Sequence, residues 1–128
     1  MIVVDTSAIV AVLRDEPESR AMGTALTEER CVISAATLVE LGMVVESRVG
    51  PAGGLLLDEL LQRSRIEVLP VDDELARLAL TGWRRFGKGR HPAALNFGDT
   101  FSYALATQLD APLLFVGDDF SQTDVRRA

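Results

Sequence analysis

The sequence has very few of the side chains that cross-link small proteins or bind structural metals. Its 128 residues include one cysteine, Cys31, and one histidine, His91. A single cysteine cannot form an intramolecular disulfide, and zinc sites use clusters of cysteine and histidine. Both a disulfide scaffold and a zinc site are therefore disfavoured. A chain of this length buries roughly two-thirds of its unfolded surface and needs neither to hold a core. Cys31, in an apolar stretch, is expected to be a buried strand thiol.

Long apolar runs are also missing. No apolar stretch approaches the roughly 20 residues that a membrane-spanning helix needs. A secretory signal has a basic segment followed by a long apolar one. The chain opens instead on Met1-Ile2-Val3-Val4-Asp5, which lacks that pattern. We therefore expect no membrane span and a cytoplasmic location.

Positive charge is scarce overall but locally concentrated. The chain carries 13 Lys and Arg against 19 Asp and Glu, for a net charge of −6, and Lys88 is its only lysine. An evenly spread acidic charge would argue against a nucleic-acid partner, because binding to phosphates needs excess positive charge. However, the segment 75–98 has no acidic residue and a charge of +5, which leaves −11 for the rest of the chain. The net charge therefore does not decide which partners the protein binds.

Short apolar strands alternate with helical segments along the chain. Strands are predicted at 2–5, 31–34, 66–71 and 113–116, and helices at 8–13, 18–29, 37–48, 55–61, 74–85 and 96–109. Thr6 or Ser7 is the expected cap of the first helix, and Asp72 is the expected cap of the fifth. This alternation predicts a single α/β domain over 1–128, a three-layer α/β/α sandwich around a mainly parallel sheet. In such sheets, ligand sites lie beyond the carboxyl ends of the strands.

Acidic residues occupy the positions where such a site would form. Asp5 ends the first predicted strand, and Asp118 and Asp119 follow the last one. Glu40 and Asp99 lie in predicted helices among apolar neighbours, where an unpaired charge is costly to bury. Carboxylates about 5 Å apart repel each other by roughly 3 kcal/mol per ionised pair, so they retain protons or bind a cation. Oxygen ligands favour Mg²⁺ or Mn²⁺, and such ions most often serve chemistry at phosphate.

Each acid also has a simpler explanation. Asp5 suits a helix cap or turn, Glu40 a solvated helix face, and Asp99 the N-terminus of a helix. Asp118 and Asp119 suit an ordinary turn. The residue pattern alone therefore leaves open both a metal-dependent phosphate site and a set of structural acids.

The acids lie in four sequence blocks. In order, these are Val3-Val4-Asp5-Thr6-Ser7-Ala8, Leu38-Val39-Glu40-Leu41, the segment 96–106 that opens Asn-Phe-Gly-Asp, and the segment 114–120 that contains Gly-Asp-Asp-Phe. Together the blocks resemble the PIN-domain ribonucleases, and more narrowly the VapC toxins of bacterial toxin–antitoxin pairs. The resemblance implies a PIN-like fold and a Mg²⁺-dependent endoribonuclease, with Mn²⁺ as a possible substitute. It also implies hydrolysis of RNA phosphodiester bonds by a metal-activated water, which leaves 5′-phosphate and 3′-hydroxyl ends.

The resemblance also assigns residues and partners. The catalytic acids would be Asp5, Glu40, Asp99 and Asp119, with Asp5 and Asp99 as the principal metal ligands and Asp118 as the alternative fourth acid. The basic segment would hold the RNA backbone through Arg84, Arg85, Lys88 and Arg90. A VapB-like antitoxin and a homodimer are expected, and the leucine-rich helix 55–61 could supply either contact or could simply pack in the core.

Two other classes of protein remain open on the residues. A carboxylate-based phosphatase also places an aspartate after the first strand, but it normally has a second one two residues later, where this chain has Ser7. A phosphoacceptor signalling domain also has an acidic pocket on a similar sheet. It would need a lysine after a late strand, whereas Lys88 precedes Asp99 in a predicted loop.

Overall fold

Four parallel strands form the centre of the computed structural model, which describes residues 1–128. The strands are β1 (Ile2–Val4), β2 (Cys31–Ser34), β3 (Glu67–Leu69) and β4 (Leu113–Leu114). Their order across the sheet is β3-β2-β1-β4, and every neighbouring pair is parallel. The predicted three-layer α/β/α architecture is therefore confirmed.

Six helices connect and cover the strands. They are α1 (Thr6–Leu13), α2 (Ser19–Glu28), α3 (Ala35–Val49), α4 (Pro51–Arg63), α5 (Asp73–Phe86) and α6 (Phe97–Gln108), and a single 3₁₀ turn follows at Phe120–Gln122. None of the helices combines the length and the apolar character needed to cross a bilayer.

The two faces of the sheet carry separate apolar cores. Val3 of β1 joins a cluster with Tyr103 and other residues of α5 and α6. The next strand residue, Val4, points to the opposite face and joins a cluster supplied by α1 to α4, which includes Leu26 and Leu41. Alternate residues of a strand face opposite sides, so a sheet buried on both faces needs the continuous apolar runs that these strands have.

The first helix begins differently from the prediction. Asp5, in an extended conformation, caps α1 by accepting a 3.0 Å hydrogen bond from the Ser7 N–H. The prediction that Thr6 or Ser7 is the cap was wrong, because both already belong to the first helical turn. Asp72 caps α5 as predicted, accepting from the Leu75 N–H at 2.8 Å.

Two other boundaries differ from the predictions for identifiable reasons. Helix α3 begins at Ala35 because Ser34, at the end of β2, caps it by accepting from the Thr37 N–H at 3.0 Å. Strand β4 stops at Leu114, which pairs with Val4, the last residue of β1. After Val4 the polypeptide turns into the cap of α1, so the residues that follow Leu114 have no neighbouring strand to pair with.

Cys31 lies at the start of β2 and is fully buried. Burial raises the pKa of its thiol to about 11, and the negative charge of Glu29 adds to the effect. The thiolate is the reactive form of cysteine. The prediction of a buried strand thiol is therefore confirmed.

Candidate active site at the carboxyl edge of the sheet

An open cleft of about 410 Å³ lies where the chain leaves β1. Asp5, Glu40 and Asp99 all line it. At β1 the strand order reverses direction, since β2 and β3 lie on one side and β4 lies on the other. Crevices that bind ligands form at this kind of reversal, beyond the carboxyl ends of the strands. The fold thus brings together three acids that are far apart in the sequence.

Asp5 is the most tightly held of the three. Its side chain is 3% exposed, and Oδ2 accepts hydrogen bonds from the Ser7 N–H at 3.0 Å and the Ser7 hydroxyl at 2.7 Å. Its other oxygen, Oδ1, accepts from the Ser102 hydroxyl of α6 at 2.6 Å. Ser7 Oγ in turn accepts from the Val116 N–H at 3.1 Å, just after β4. Three separate segments therefore fix the orientation of one carboxylate.

Glu40 projects from α3 into the same cleft. The Thr6 hydroxyl donates a hydrogen bond to its Oε1. Its Oε2 lies against Gly98, where a Cβ atom would overlap the carboxylate. Burial raises the pKa of Glu40, the hydrogen bond from Thr6 opposes that rise, and the charge of Asp5 adds to it.

Asp99 lies in the first turn of α6 and forms a reciprocal cap with Asn96. Its Oδ2 accepts from the Asn96 N–H at 3.0 Å, while Asn96 Oδ1 accepts from the Asp99 N–H at 2.9 Å. Burial raises the pKa of Asp99 to about 7 despite that hydrogen bond, and the negative charges of Asp5, Glu40 and Asp119 raise it further. The site therefore concentrates negative charge that water alone does not relieve.

Asp118 and Asp119 precede the 3₁₀ turn, and both are exposed. Of the two, only Asp119 raises the pKa of Asp99 through its charge. The electrostatic geometry therefore favours Asp119 as the fourth member of the acidic group, although neither residue lines the cleft.

The donor set fits a divalent cation that keeps most of its water. No three acidic side chains converge on one point where a single ion could contact all of them. Magnesium does not require this, because it commonly binds through one or two carboxylates and retains several waters. Asp5 and Asp99 provide such oxygens on one cleft, and a cation would offset the repulsion that raises the pKa of Asp99.

The four residues of the segment 75–98 that were predicted to bind RNA do not line this cleft. Arg85 is paired with Asp124 at 3.1 Å. The guanidinium of Arg90 lies 4.6 Å from the centre of the Trp83 ring, and Lys88 lines a separate groove between α5 and α6. Arg84 is exposed and offers its carbonyl to Arg90. The set is thus divided between structural contacts and free cations.

Two other arginines, which no sequence pattern had singled out, line the acidic cleft. They are Arg14, which follows α1, and Arg48, in the last turn of α3. A signal was present: Arg48 follows Glu40 by eight residues, a spacing that places two side chains on one helix face. Ser102 was missed in the same way, since it follows Asp99 by three residues on α6 and so shares its face.

The leucine-rich helix α4 is only partly buried in the core. Leu57 is buried in the core, whereas Leu55 is 74% exposed and Leu56 is 49% exposed. Core packing therefore accounts for only part of the apolar surface of α4.

Comparison with known proteins agrees with this arrangement. A family model described as PIN domain matches residues 2–126. The chain therefore belongs to the PIN domain family, as the resemblance of the four acidic blocks implied.

Its relatives within that family are VapC ribonucleases. The chain is 46% identical over 124 residues to Ribonuclease VapC of Mycolicibacterium smegmatis, with 96% of each chain covered. It is also 46% identical over 128 residues to Ribonuclease VapC28 of Mycobacterium tuberculosis, with 98% of this chain and 96% of the relative covered.

Solved structures show the same fold at low sequence identity. VapC20 of Mycobacterium tuberculosis, a toxin that cleaves the sarcin–ricin loop, matches with a TM-score of 0.80 and 17% identity over 100% of this chain and 98% of that one. VapBC from Salmonella typhimurium bound to DNA matches with a TM-score of 0.71 and 22% identity, over 99% and 96% of the two chains. The phosphatase and signalling alternatives gain no support, because Ser7 supports Asp5 by hydrogen bonding and Lys88 lies outside the cleft.

Proposed function

We propose that this protein is a divalent-metal-dependent endoribonuclease that acts as the toxin of a toxin–antitoxin pair. The observation that carries the proposal is the buried, doubly supported carboxylate of Asp5, which shares one cleft with Glu40 and Asp99. Curated VapC ribonucleases at 46% identity over nearly the full length support the choice of RNA as substrate.

Asp5 and Asp99 would hold the cation, which we propose to be Mg²⁺ with Mn²⁺ as a substitute. When bound, such an ion activates water and stabilises charge on phosphate oxygens. Ser7 and Ser102 fix the direction in which Asp5 presents its oxygens. Glu40, which retains a proton more readily than an exposed glutamate, is placed to accept a hydrogen bond or a proton from water in the cleft. Asp119 would contribute further negative charge at the rim.

No histidine is needed in this scheme. The ring nitrogen Nδ1 of His91 accepts from the Ala93 N–H at 3.0 Å. The ring also packs edge-on against Phe86, with 5.1 Å between ring centres. His91 is therefore a structural residue of the loop after α5, and proton transfer at the cleft falls to carboxylates and water.

The test is cleavage of a labelled RNA pool with Mg²⁺ or Mn²⁺ by the wild type and by Asp5→Asn. We expect cleavage by the wild type, loss of cleavage when a chelator removes the metal, and loss of at least about 100-fold in the variant. Asp58→Asn, an exposed acid of α4, is the matched control and should cleave normally. Equal cleavage by the wild type and Asp5→Asn, with both folded by circular dichroism, would reject the proposal.

We further propose an antitoxin that covers the cleft with a basic and apolar segment. The support is charge complementarity to the acidic group, together with the solved neighbours, which include a toxin–antitoxin complex from Klebsiella pneumoniae. Because its substrate is RNA, we place the protein in the cytoplasm. Purification of the chain expressed together with its neighbouring gene should yield a stable complex without ribonuclease activity.

We also propose a homodimer formed through the groove between α5 and α6. Phe97 is 81% exposed, Leu80 is 43% exposed and Trp83 is 40% exposed, and all three line this groove. Exposed apolar patches of this kind commonly mark protein interfaces. Light scattering should give twice the chain mass for the wild type and the single chain mass for Leu80→Glu.

The RNA-contact residues of the basic segment remain part of the proposal. Lys88 and Arg84 carry no ion pair and can meet phosphates, whereas Arg85 is occupied by Asp124. Replacement of Arg84, which does not line the proposed dimer groove, by Ala should weaken RNA binding and reduce its salt dependence by about 0.7 in log–log slope. Arg85→Ala should show a smaller effect.

A further inference from the structure

Two arginines enter the acidic cleft without any carboxylate partner. Arg14 and Arg48 are both exposed and both line the cleft that contains Asp5 and Glu40. None of the six ion pairs of the protein involves Arg14 or Arg48. Glu16 also lines the cleft, yet neither arginine lies within ion-pair distance of it. The two guanidinium groups are therefore free to bind an anion.

Both arginines lie near helix C-termini, where the helix dipole stabilises a positive charge. That effect explains why a cation is tolerated at either end. It does not explain why α1 and α3, which pack against each other, both direct an arginine toward one cleft.

The arginines and the acids are separated by an apolar floor. Val10 of α1 and Val44 of α3 line the cleft and also line a small adjoining pocket that again contains Arg14 and Arg48. Arg48 follows Glu40 by eight residues, or about 12 Å along the helix axis. The surface thus presents acids, then an apolar strip, then cations.

This order matches the backbone of a single RNA strand. A phosphate at the acids needs a cation between its oxygens and the carboxylates. The sugar attached to that phosphate can cross the apolar strip, and the neighbouring phosphate then reaches the arginines. Arginine pairs well with phosphate because its planar group donates two parallel hydrogen bonds.

We propose that Arg14 and Arg48 bind an RNA phosphate next to the scissile one and so position the strand across the acids. The proposal rests on the proposed ribonuclease function. It makes the two arginines positioning residues, since they would touch the substrate away from the reacting bond.

The test compares Arg14→Ala, Arg48→Ala and the double variant with the wild type on a single-stranded RNA that the wild type cleaves. The contact between the arginines and the phosphate would be equally strong in the bound substrate and in the transition state. We therefore expect KM to rise about tenfold in the double variant while kcat stays within about twofold. The salt dependence of RNA binding, measured on the inactive Asp5→Asn background, should fall by about 0.7 in log–log slope for each arginine. Lysine at both positions should restore most of the salt dependence.

Arg63→Ala is the matched control. Arg63 is exposed and pairs with Glu59 on α4, at the end of that helix that leads into β3 and hence at the opposite edge of the sheet. A second control is a dinucleotide substrate whose only phosphate is the scissile one. The wild type and the double variant should cleave it equally.

The outcomes separate this inference from the proposed function. A wild type that cleaves no RNA with Mg²⁺ or Mn²⁺ rejects the ribonuclease itself. A wild type that cleaves, with unchanged KM and salt slope in the double variant, rejects only the role of the arginines. Tighter binding of a labelled polyglutamate peptide than of RNA with equal charge, lost in the double variant, would assign the arginines to an acidic protein segment and also overturn the proposal.

Discussion

Ser102 and Asp5 are 97 positions apart in the sequence, yet the Ser102 hydroxyl donates a 2.6 Å hydrogen bond to Asp5 Oδ1. Both side chains are buried, at 1% and 3% exposure. The bond joins the start of α1 to the middle of α6 directly beneath the acidic cleft. It sets where one proposed metal ligand points, and it keeps a buried carboxylate oxygen paired.

Ser102→Ala should lower both stability and activity. Loss of the donor leaves a buried oxygen unpaired, which costs about 1–3 kcal/mol, and loss of orientation should reduce RNA cleavage by about tenfold or more. Urea unfolding and initial rates measure the two effects. Ser47→Ala, which removes an exposed hydroxyl that bonds only within α3, should change neither. A variant with wild-type stability and rate would show that the bond does not position Asp5.

Gly98→Ala should damage activity more than stability. The added Cβ would overlap Glu40 Oε2, so the Glu40 carboxyl group must swing away from the cleft and from Thr6. We expect a loss of about tenfold or more in cleavage rate. The unfolding free energy should change by less than about 1 kcal/mol, since alanine favours a helix over glycine. Gly42→Ala is the control, because a Cβ there has open space, and it should retain full activity.

Thr6→Val and Thr6→Ser should have different effects, because valine keeps the shape of threonine and serine keeps its hydroxyl. Valine removes the hydroxyl that donates to Glu40 Oε1, whereas serine keeps it. The valine variant should therefore lose about tenfold in rate while the serine variant stays near the wild type. Loss of the Thr6 donor should also raise the pKa of Glu40 further, since that hydrogen bond holds it down. The pH–rate profile of the valine variant should move toward higher pH.

The free energy of unfolding of the metal-free protein should depend on pH through the titration of Asp99. The pKa of its carboxyl group, ordinarily near 3.8, is about 7 in the folded protein, chiefly because of burial. Between these values the folded state keeps a proton that the unfolded chain has lost. The free energy of unfolding therefore falls as the pH rises from about 4 to about 7 and then levels off.

Asp99→Asn removes this titration. In chelator, the variant should gain more than about 1 kcal/mol on the wild type between about pH 5 and about pH 8, measured by urea unfolding. A constant difference across that range would show that Asp99 ionises freely. Addition of Mg²⁺ should stabilise the wild type at the higher pH and leave the variant nearly unchanged.

The architecture follows from the sequence because its signals are local. The β-branched run before Asp5 and the capping aspartate at position 72 each specify an element within a few residues. Element ends were harder to predict because they depend on pairing. The run 113–116 is apolar throughout, but only Leu113 and Leu114 pair as strand, since β1 ends at Val4.

The acids could be identified from their positions in the sequence, but the residues that support them could not. Ser102 resembles any small polar residue of a helix until α6 is placed beside β1. Gly98 shows its purpose only when Glu40 of α3 lies against it. The cluster of arginines at 84–90 drew attention by its local density, whereas Arg14 and Arg48 reach one cleft only after α1 and α3 pack.

The three supports of Asp5 also have a consequence for the timing of synthesis. Asp5 leaves the ribosome well before Ser102 and Val116, on which its side-chain network depends. A nascent chain therefore carries the acid without the frame that aims it. The proposed ribonuclease activity therefore requires that α6 and the segment after β4 have been synthesised and have packed against Asp5.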